Sequence, residues 1–431
     1  MIDPTVKGSF HLRPGTRLIG RESDGVIIRE KPLRAFRVNL PALDILGKCR
    51  TGWSPEYLSC PDKRHQIGPI LSLLDRLCQA GLMDWEPPKG DFEPFVSIIV
   101  PVYNRAQEIS ACLESLLCLD YPSSKREIIV VDDASEDDTA AVVRRYDVKL
   151  VVLESNQGQS AARNVGVSTA RGEIIAYIDS DCIAEASWLR DLVPYFQDSR
   201  NALVGGYVAS FYRETRLDRY EEARSPLNMG ENLLVGSSSE SDFYVPTCNM
   251  LVRKAAYLQV GGLNEGFRVG EDVDLCWRLM ERGFRLLYVP KGRVKHKHRN
   301  RFLASFRRRF DYGTSEPVLY ATHGHAGKRF PFQTASLAVL FTCLAGLLTK
   351  QVLFMPAICL ILLLDSLLKK SRFSKQMNVA PSFGTVFKAT LENHLQFMYH
   401  LSHHVVRYYL VLMVMLAVMF KPLVPIVACL V

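Results

Sequence analysis

Gly172-Glu-Ile-Ile-Ala-Tyr-Ile-Asp-Ser-Asp181 is the stretch on which the reading of this chain turns. Four apolar residues and a tyrosine run into two carboxylates, Asp179 and Asp181. A short apolar run of this kind reads as a buried parallel strand. Open α/β sheets place their ligands at the carboxyl ends of such strands. Two acids spaced i, i+2 at that tip can share a hard divalent cation. An isolated Asp-x-Asp is equally at home in a solvated turn, so the argument rests on what precedes it.

Two similar strands precede it, and both end in polar clusters. Phe95-Val-Ser-Ile-Ile-Val-Pro-Val-Tyr-Asn104 reads as a strand that stops at Pro101, followed by a helix over Ala106–Leu119. Glu127–Val131 is a second strand, ending in Asp132 and Asp133. Val148–Leu153 is a third, and Asn156–Gly166 is a loop passing into a helix. Strands alternating with helices of this length imply βαβ units and a mostly parallel sheet flanked by helices. No G-x-G-x-x-G follows any of these strands, which removes the fingerprint of a dinucleotide-binding fold. Residues 182–246 give little pattern. Beyond them, Pro246–Arg253 reads as a strand, Gly261–Phe267 as a tight loop, and Gly270–Leu279 as a helix whose first turn is acidic, where the helix dipole favours negative charge.

Residues 1–90 read as a small separate domain. Thr16–Glu22 and Gly25–Glu30 are strand-like, and Leu40–Cys49 and Ile67–Ala80 helix-like, an arrangement resembling a winged helix. No dense basic recognition helix accompanies it, so a peptide-docking module is expected and a nucleic-acid partner is not. Trp85–Gly90 reads as a linker. The eleven cysteines include no CxxC pair, which points away from a zinc ribbon and fits a reducing compartment. The N-terminus lacks an apolar signal-peptide core, so the bulk of the chain is expected in the cytosol.

The net charge of +8 is uneven, with nine Lys or Arg and no acid between Lys291 and Arg309. Phe332–Thr349 and Val352–Leu368 are apolar runs of near-spanning length, and Val405–Phe420, continuing to Val431, is a possible third. Their basic flanks would orient a membrane hairpin with the catalytic region on the cytoplasmic face. Buried core helices are the alternative reading. Residues 91–311 and 312–431 are thus expected as a catalytic domain and a hydrophobic helical membrane region.

With Val-Ser-Ile-Ile-Val-Pro-Val-Tyr-Asn, Val-Val-Asp-Asp-Ala-Ser, Ala-Ala-Arg-Asn-Val-Gly, Ile-Asp-Ser-Asp and Gly-Glu-Asp-Val-Asp-Leu in this order over about residues 95–310, the chain resembles the family 2 glycosyltransferases, which have the GT-A nucleotide-sugar-binding fold. The resemblance implies a UDP-sugar donor and a divalent metal, Mg2+ or Mn2+. It implies Asp181 as metal ligand, Asp179 touching donor or metal, and His296 completing the coordination shell, unless Val294–His298 is only a solvated basic segment. Pro101, Tyr103, Asn104, Asp132 and Asp133 would form the uridine side of the site, with a helix cap as the other reading of the two aspartates. Arg163 would sit near the pyrophosphate, or else make a surface ion pair. Asp272 is the candidate general base, with Glu271 and Asp274 as alternatives. A single base without a nucleophilic partner implies inversion. Trp277 is either core or acceptor platform.

The N-terminal module, resembling the PqqD-like peptide-recognition type, together with the catalytic region and apolar C-terminus, is similar to the mycofactocin-system branch of the family. That implies transfer of glucose to a small peptide or peptide-derived redox cofactor. A membrane enzyme of polysaccharide or glycolipid synthesis, and an inactive GT-A scaffold that docks a peptide, are the competing readings.

Overall fold

The computed structural model describes residues 8–55, 64–88, 90, 92–236, 243–298, 302–324, 333–349, 351 and 354–419. Strands Ser9–Leu12 (β1), Thr16–Gly20 (β2), Asp24–Glu30 (β3) and Leu33–Asn39 (β4) come first. Helices Leu40–Lys48 (α1) and Arg64–Gln79 (α2) and strand Met83–Glu86 (β5) follow. The expected strands and helices of residues 1–90 are present. Contacts nevertheless divide the chain otherwise than at residue 90. One compact unit takes residues 1–12 and 48–328, and a second takes 13–47 and 329–431.

In the first unit, β1 pairs antiparallel with β5. The catalytic region supplies Val96–Val102 (β6), Ile109–Leu117 (α3), Arg126–Asp132 (β7), Thr139–Val143 (α4), Lys149–Val152 (β8), Gln159–Thr169 (α5) and Ile174–Tyr177 (β9). Then come Cys182–Ala184 (β10), Trp188–Leu192 (α6), Asn201–Gly205 (β11), Val208–Ser210 (β12), Arg216–Arg224 (α7) and Leu234–Gly236 (β13). Met250–Arg253 (β14), Lys254–Gln259 (α8), Glu271–Glu281 (α9), Arg285–Tyr288 (β15), Val294–His296 (β16) and Phe302–Thr322 (α10) complete it.

Eight strands form one sheet in the order β13-β15-β11-β14-β9-β6-β7-β8. The β9-β6-β7-β8 half is parallel, as the alternating pattern predicts. The other half is mixed, because β14 runs antiparallel to both β9 and β11. Both β6 and β9 are buried along their whole length, which is why neither shows an apolar–polar alternation. β9 pairs with β6 only from Val96 to Ile99. Pro101 falls beyond that last pair, so its missing N–H costs this ladder nothing, and the two strands part there into a crevice. Helix α5 lies close against β6, where a Cβ on Gly166 would stand 2.5 Å from Ile99 Cγ2. A smaller sheet, β10-β16-β12, stands beside the strand tips.

The mixed edge of the large sheet is held to the N-terminal elements by polar contacts. Arg285 pairs with Asp75 at 2.8 Å and lies over the Trp85 ring. The Gln79 amide donates to the Val235 carbonyl at 2.7 Å.

The second unit joins the β2-β3-β4 meander and α1 to helices Thr334–Thr349 (α11), Phe354–Met377 (α12) and Phe383–Met419 (α13). The expected membrane-spanning hairpin is not borne out. Among the described residues no helix is long and apolar enough to cross a membrane. The physical reasons are length and charge: α11 has 16 residues, and α12 carries Asp365, Lys369 and Lys370 within its 24. Buried polar groups also tie these helices together, with His394 bonded to Ser336 at 2.7 Å and to Asp365 at 2.9 Å. The continuation expected over Phe420–Val431 lies outside the described residues.

Candidate active site

The parted tips of β6, β7 and β9 open into a cavity of about 640 Å³. Pro101, Tyr103 and Arg105 line it from β6 and the turn after it, Asp133 from the end of β7, and Asp179 and Asp181 from the end of β9. Tyr103 is 42% exposed at its mouth, a free aromatic face. Gly158 and Gln159 bring in the N-terminus of α5. His296, Lys297 and His298 close the opposite side.

Asp133 shapes this wall: its carboxylate accepts the backbone N–H groups of Gln157 at 2.7 Å and Gly158 at 2.8 Å. Asp132 does not face the cavity. It is 1% exposed, and its Oδ1 accepts the Ser135 backbone N–H at 3.0 Å, so it braces the turn after β7. Asn104 is a brace as well. With φ at 52° it accepts from the Glu136 N–H at 2.8 Å, fastening the β6 turn to the β7 turn.

Arg163 is 1% exposed and is no surface ion pair. It donates to Asp179 Oδ1 at 2.6 Å and to Glu271 Oε1 at 2.9 Å, a strut between the tip of β9 and the first turn of α9. Burial alone would lower its pKa, but these two carboxylates raise it above the usual arginine value. Gln159, one turn earlier on α5, donates to the same Glu271 oxygen at 2.8 Å. Glu271 is therefore an anchor whose Oε1 takes a bond from both of these α5 side chains.

Asp181 stands apart from this strut. Its Oδ1 lies 3.6 Å from His296 Nε2, and its Oδ2 lies 3.8 Å from the Arg105 guanidinium. Burial holds its carboxyl above the usual range, with Asp179 adding to the rise and His296 opposing it. His296 reaches this position through strand pairing, because β16 lies between β10 and β12 in the small sheet.

Asp272, next to Glu271 on α9, is not among the residues lining this cavity, and neither is Glu271; its carboxyl is pushed up to about 7 from 3.8 by burial and by that acidic neighbour. Asp274, the other alternative, is spoken for: it is 1% exposed and bonded to Arg278 and His323. His323 also reaches Glu281 at 2.8 Å, so the end of α10 clasps α9. Trp277 is 5% exposed within the core and edge-on to His323, which removes the acceptor-platform reading. Beneath the site lies Cys248. Contact with Cys182 pulls its pKa down, yet burial and the carboxylates of Asp179, Asp181 and Asp272 hold it above the ordinary value. One buried thiol thus feels all three acids.

Sequence reasoning missed Arg105 and Gln159, and within Val294–His298 it gave a role to His296 and none to Lys297 or His298. Gln159 carries a readable signal, since it precedes Arg163 by four residues and so shares its helix face. His298 carries none. It is bonded to Asp218 on α7 and to Ser210 on β12, both at 2.9 Å, and both far away in sequence.

A mixed sheet whose parallel half ends in a cleft of paired aspartates and facing cations is an open α/β arrangement with its ligand crevice at the strand tips. Residues 97–260 match the family model described as Glycosyl transferase family 2, so the chain carries a domain of that family, as its motifs suggest. The chain is 33% identical over 257 residues to the pre-mycofactocin glycosyltransferase of Mycobacterium tuberculosis, an overlap of 59% of this chain and 52% of that protein. It is 32% identical over 203 residues to the glycosyltransferase AglE of Haloferax volcanii, covering 46% of this chain and 64% of that one. The chain thus spans about half the length of the first of these curated relatives. Among solved structures, a mannosyltransferase of Pyrobaculum calidifontis in complex with GDP-Man and Mn2+ superimposes with a TM-score of 0.42 at 20% identity, over 70% of this chain and 88% of that one.

Proposed function

We propose that this chain is a metal-dependent inverting glycosyltransferase that moves glucose from UDP-glucose to a hydroxyl of a small peptide-derived acceptor of the mycofactocin type. The observation that carries the reading is the shared cavity, in which Asp133, Asp179 and Asp181 face Arg105, Lys297 and His296. Tyr103 and Pro101 hold the base, and the turn shaped by Asp133 holds the ribose. Arg105, Lys297 and the N-terminus of α5 receive the pyrophosphate.

The residues present suit a divalent cation. Asp181 is a part-buried carboxylate whose cationic neighbours stand back from direct contact, Arg105 at 3.8 Å and His296 at 3.6 Å. These two would hold the ion, with Asp179 withdrawn to Arg163. When bound, a divalent cation offsets the negative charge that grows on the departing diphosphate. Asp272 takes the proton from the acceptor hydroxyl as that oxygen attacks the anomeric carbon. A carboxylate poised near neutrality suits that task. The bond to the diphosphate breaks on the opposite face, so an α-linked donor yields a β-linked product.

UDP release from UDP-glucose in the presence of a peptide-derived acceptor, with the anomer read by NMR, tests the proposal. Absence of donor turnover with every acceptor, alongside tight peptide binding, would leave the inactive scaffold. A second reading, glycolipid or polysaccharide synthesis at the cytoplasmic face of a membrane, is favoured by one observation. Leu360, Leu363, Leu364, Leu367 and Leu368 of α12 are 41–58% exposed, and Lys369 and Lys370 follow. Exposed leucines followed by lysines suit contact with an anionic bilayer surface.

A further inference from the structure

On strands β10 and β16, Cys182 stands directly opposite His296 in an antiparallel pair. Opposed residues share a face and hold their Cβ atoms about 4.5–5.5 Å apart. Thiol and imidazole are therefore neighbours by sheet register. Cys182 Sγ lies 3.8 Å from Asp181 Oδ1, and His296 Nε2 lies 3.6 Å from the same oxygen. One donor atom from each of the three residues falls within 4.8 Å of the other two. Asp181 and His296 line the cavity, whereas Cys182 is fully buried and sits outside its lining. The group thus has an oxygen and a nitrogen facing the cleft and a sulfur under its floor.

We propose that Asp181, Cys182 and His296 form a three-donor site for a thiophilic divalent cation of the zinc class, which displaces the hard cation of the transfer reaction and inhibits it. The binding half stands on this geometry, and the inhibitory half rests on the transferase reading above. Hard ions such as Mg2+ take oxygen ligands in octahedral geometry and gain nothing from a thiol. Zinc takes sulfur, nitrogen and oxygen together, with three protein ligands and one open position. Its binding exchanges the S–H bond of Cys182 for a metal–sulfur bond and releases that proton to solvent. An ion drawn toward the sulfur sits below the cleft floor and uses up Asp181, so the diphosphate loses its counter-charge.

Cobalt, a spectroscopic stand-in for zinc, tests the binding half on the full chain. The expected result is a sulfur-to-cobalt charge-transfer band, and for zinc a single sulfur scatterer at about 2.3 Å by X-ray absorption. Cys182→Ala abolishes both and raises the half-saturating zinc concentration by about tenfold or more. The same variant retains Mn2+-supported UDP release while losing its sensitivity to zinc. Cobalt bound without the sulfur band overturns the proposal, and that measurement needs no variant, so it stands even if Cys182→Ala does not fold. Wild-type zinc affinity in a folded Cys182→Ala protein overturns it equally. A chain that turns over no donor with any cation still gives or withholds the band, so failure of the transferase reading is recorded separately.

Discussion

On the proposed reaction, Asp272 and Arg163 are the two groups expected to set its pH response. The Asp272 carboxyl is pushed up to about 7 by burial and Glu271, and the base role proposed for it requires the ionised form. kcat/KM is therefore expected to rise with pH through about 7, and Asp272→Asn to lower kcat by roughly 10²–10⁴-fold. The stability effect has the opposite sign. A carboxyl whose folded pKa exceeds its unfolded value binds more protons in the folded state, so stability falls as pH rises from about 3.8 to about 7. Asp272→Asn is expected to flatten that fall in denaturant titrations, while losing activity. Arg163 lowers the Asp272 pKa, so removing its charge should move the ascending limb of the pH–rate profile to higher pH. Arg163→Gln also leaves Asp179 and Glu271 without their cation. Breaking a buried pair in this way costs about 3–5 kcal/mol, measurable as a lowered urea midpoint. Arg163→Lys is a poor rescue, because a single ammonium lacks the planar fork that reaches both acids.

At the scale of elements, α5 is fixed by its closeness to β6. Gly166 in the middle of a helix is ordinarily a weakness, and alanine there gains up to about 1 kcal/mol. Here the added methyl meets Ile99, a residue with no exposure and no room to retreat. Overpacking costs about 1–3 kcal/mol, so Gly166→Ala is expected to destabilise. A rise in melting temperature would contradict the packing account. The same helix carries Gln159 and Arg163, so a displaced α5 should also lower kcat. Helix α9 is held at both ends, by Arg163 at Glu271 and by His323 at Asp274 and Glu281, which fixes the turn that carries Asp272.

For the whole molecule, the exposed leucines of α12 are an apolar feature that the transfer reaction leaves unused. If the helix lies on an anionic bilayer, the full chain should float with vesicles containing phosphatidylserine and less so with neutral ones. Leu363→Glu with Leu367→Glu should abolish flotation and leave UDP release unchanged. Flotation that survives the double substitution would detach the membrane reading from α12. Deleting residues 1–90 is a poor test of peptide docking. It would strip Asp75 from Arg285 and Trp85 from Tyr195, contacts on which the mixed edge of the sheet depends.

Much was legible in the chain alone because it is local. Apolar runs such as Ile174–Ile178 declare buried strands, and the acids that follow them fall at strand tips by alternation and chain direction. The family motifs, the Asp179–Asp181 pair and the acidic start of α9 required no coordinates. What only the tertiary structure decided are contacts between residues far apart in sequence. Arg163 and Glu271 are 108 residues apart, and nothing in either segment announces the other. Asp132 and Asp133 look alike as letters, yet one braces a turn and the other walls the cavity, because successive strand residues point to opposite faces. The antiparallel β14, the division of residues 1–90 between two units, and the pairing that sets His296 against Asp181 all depend on which strands and helices meet. Those choices are made by the packing of the entire chain, where local propensity is only one small term among many.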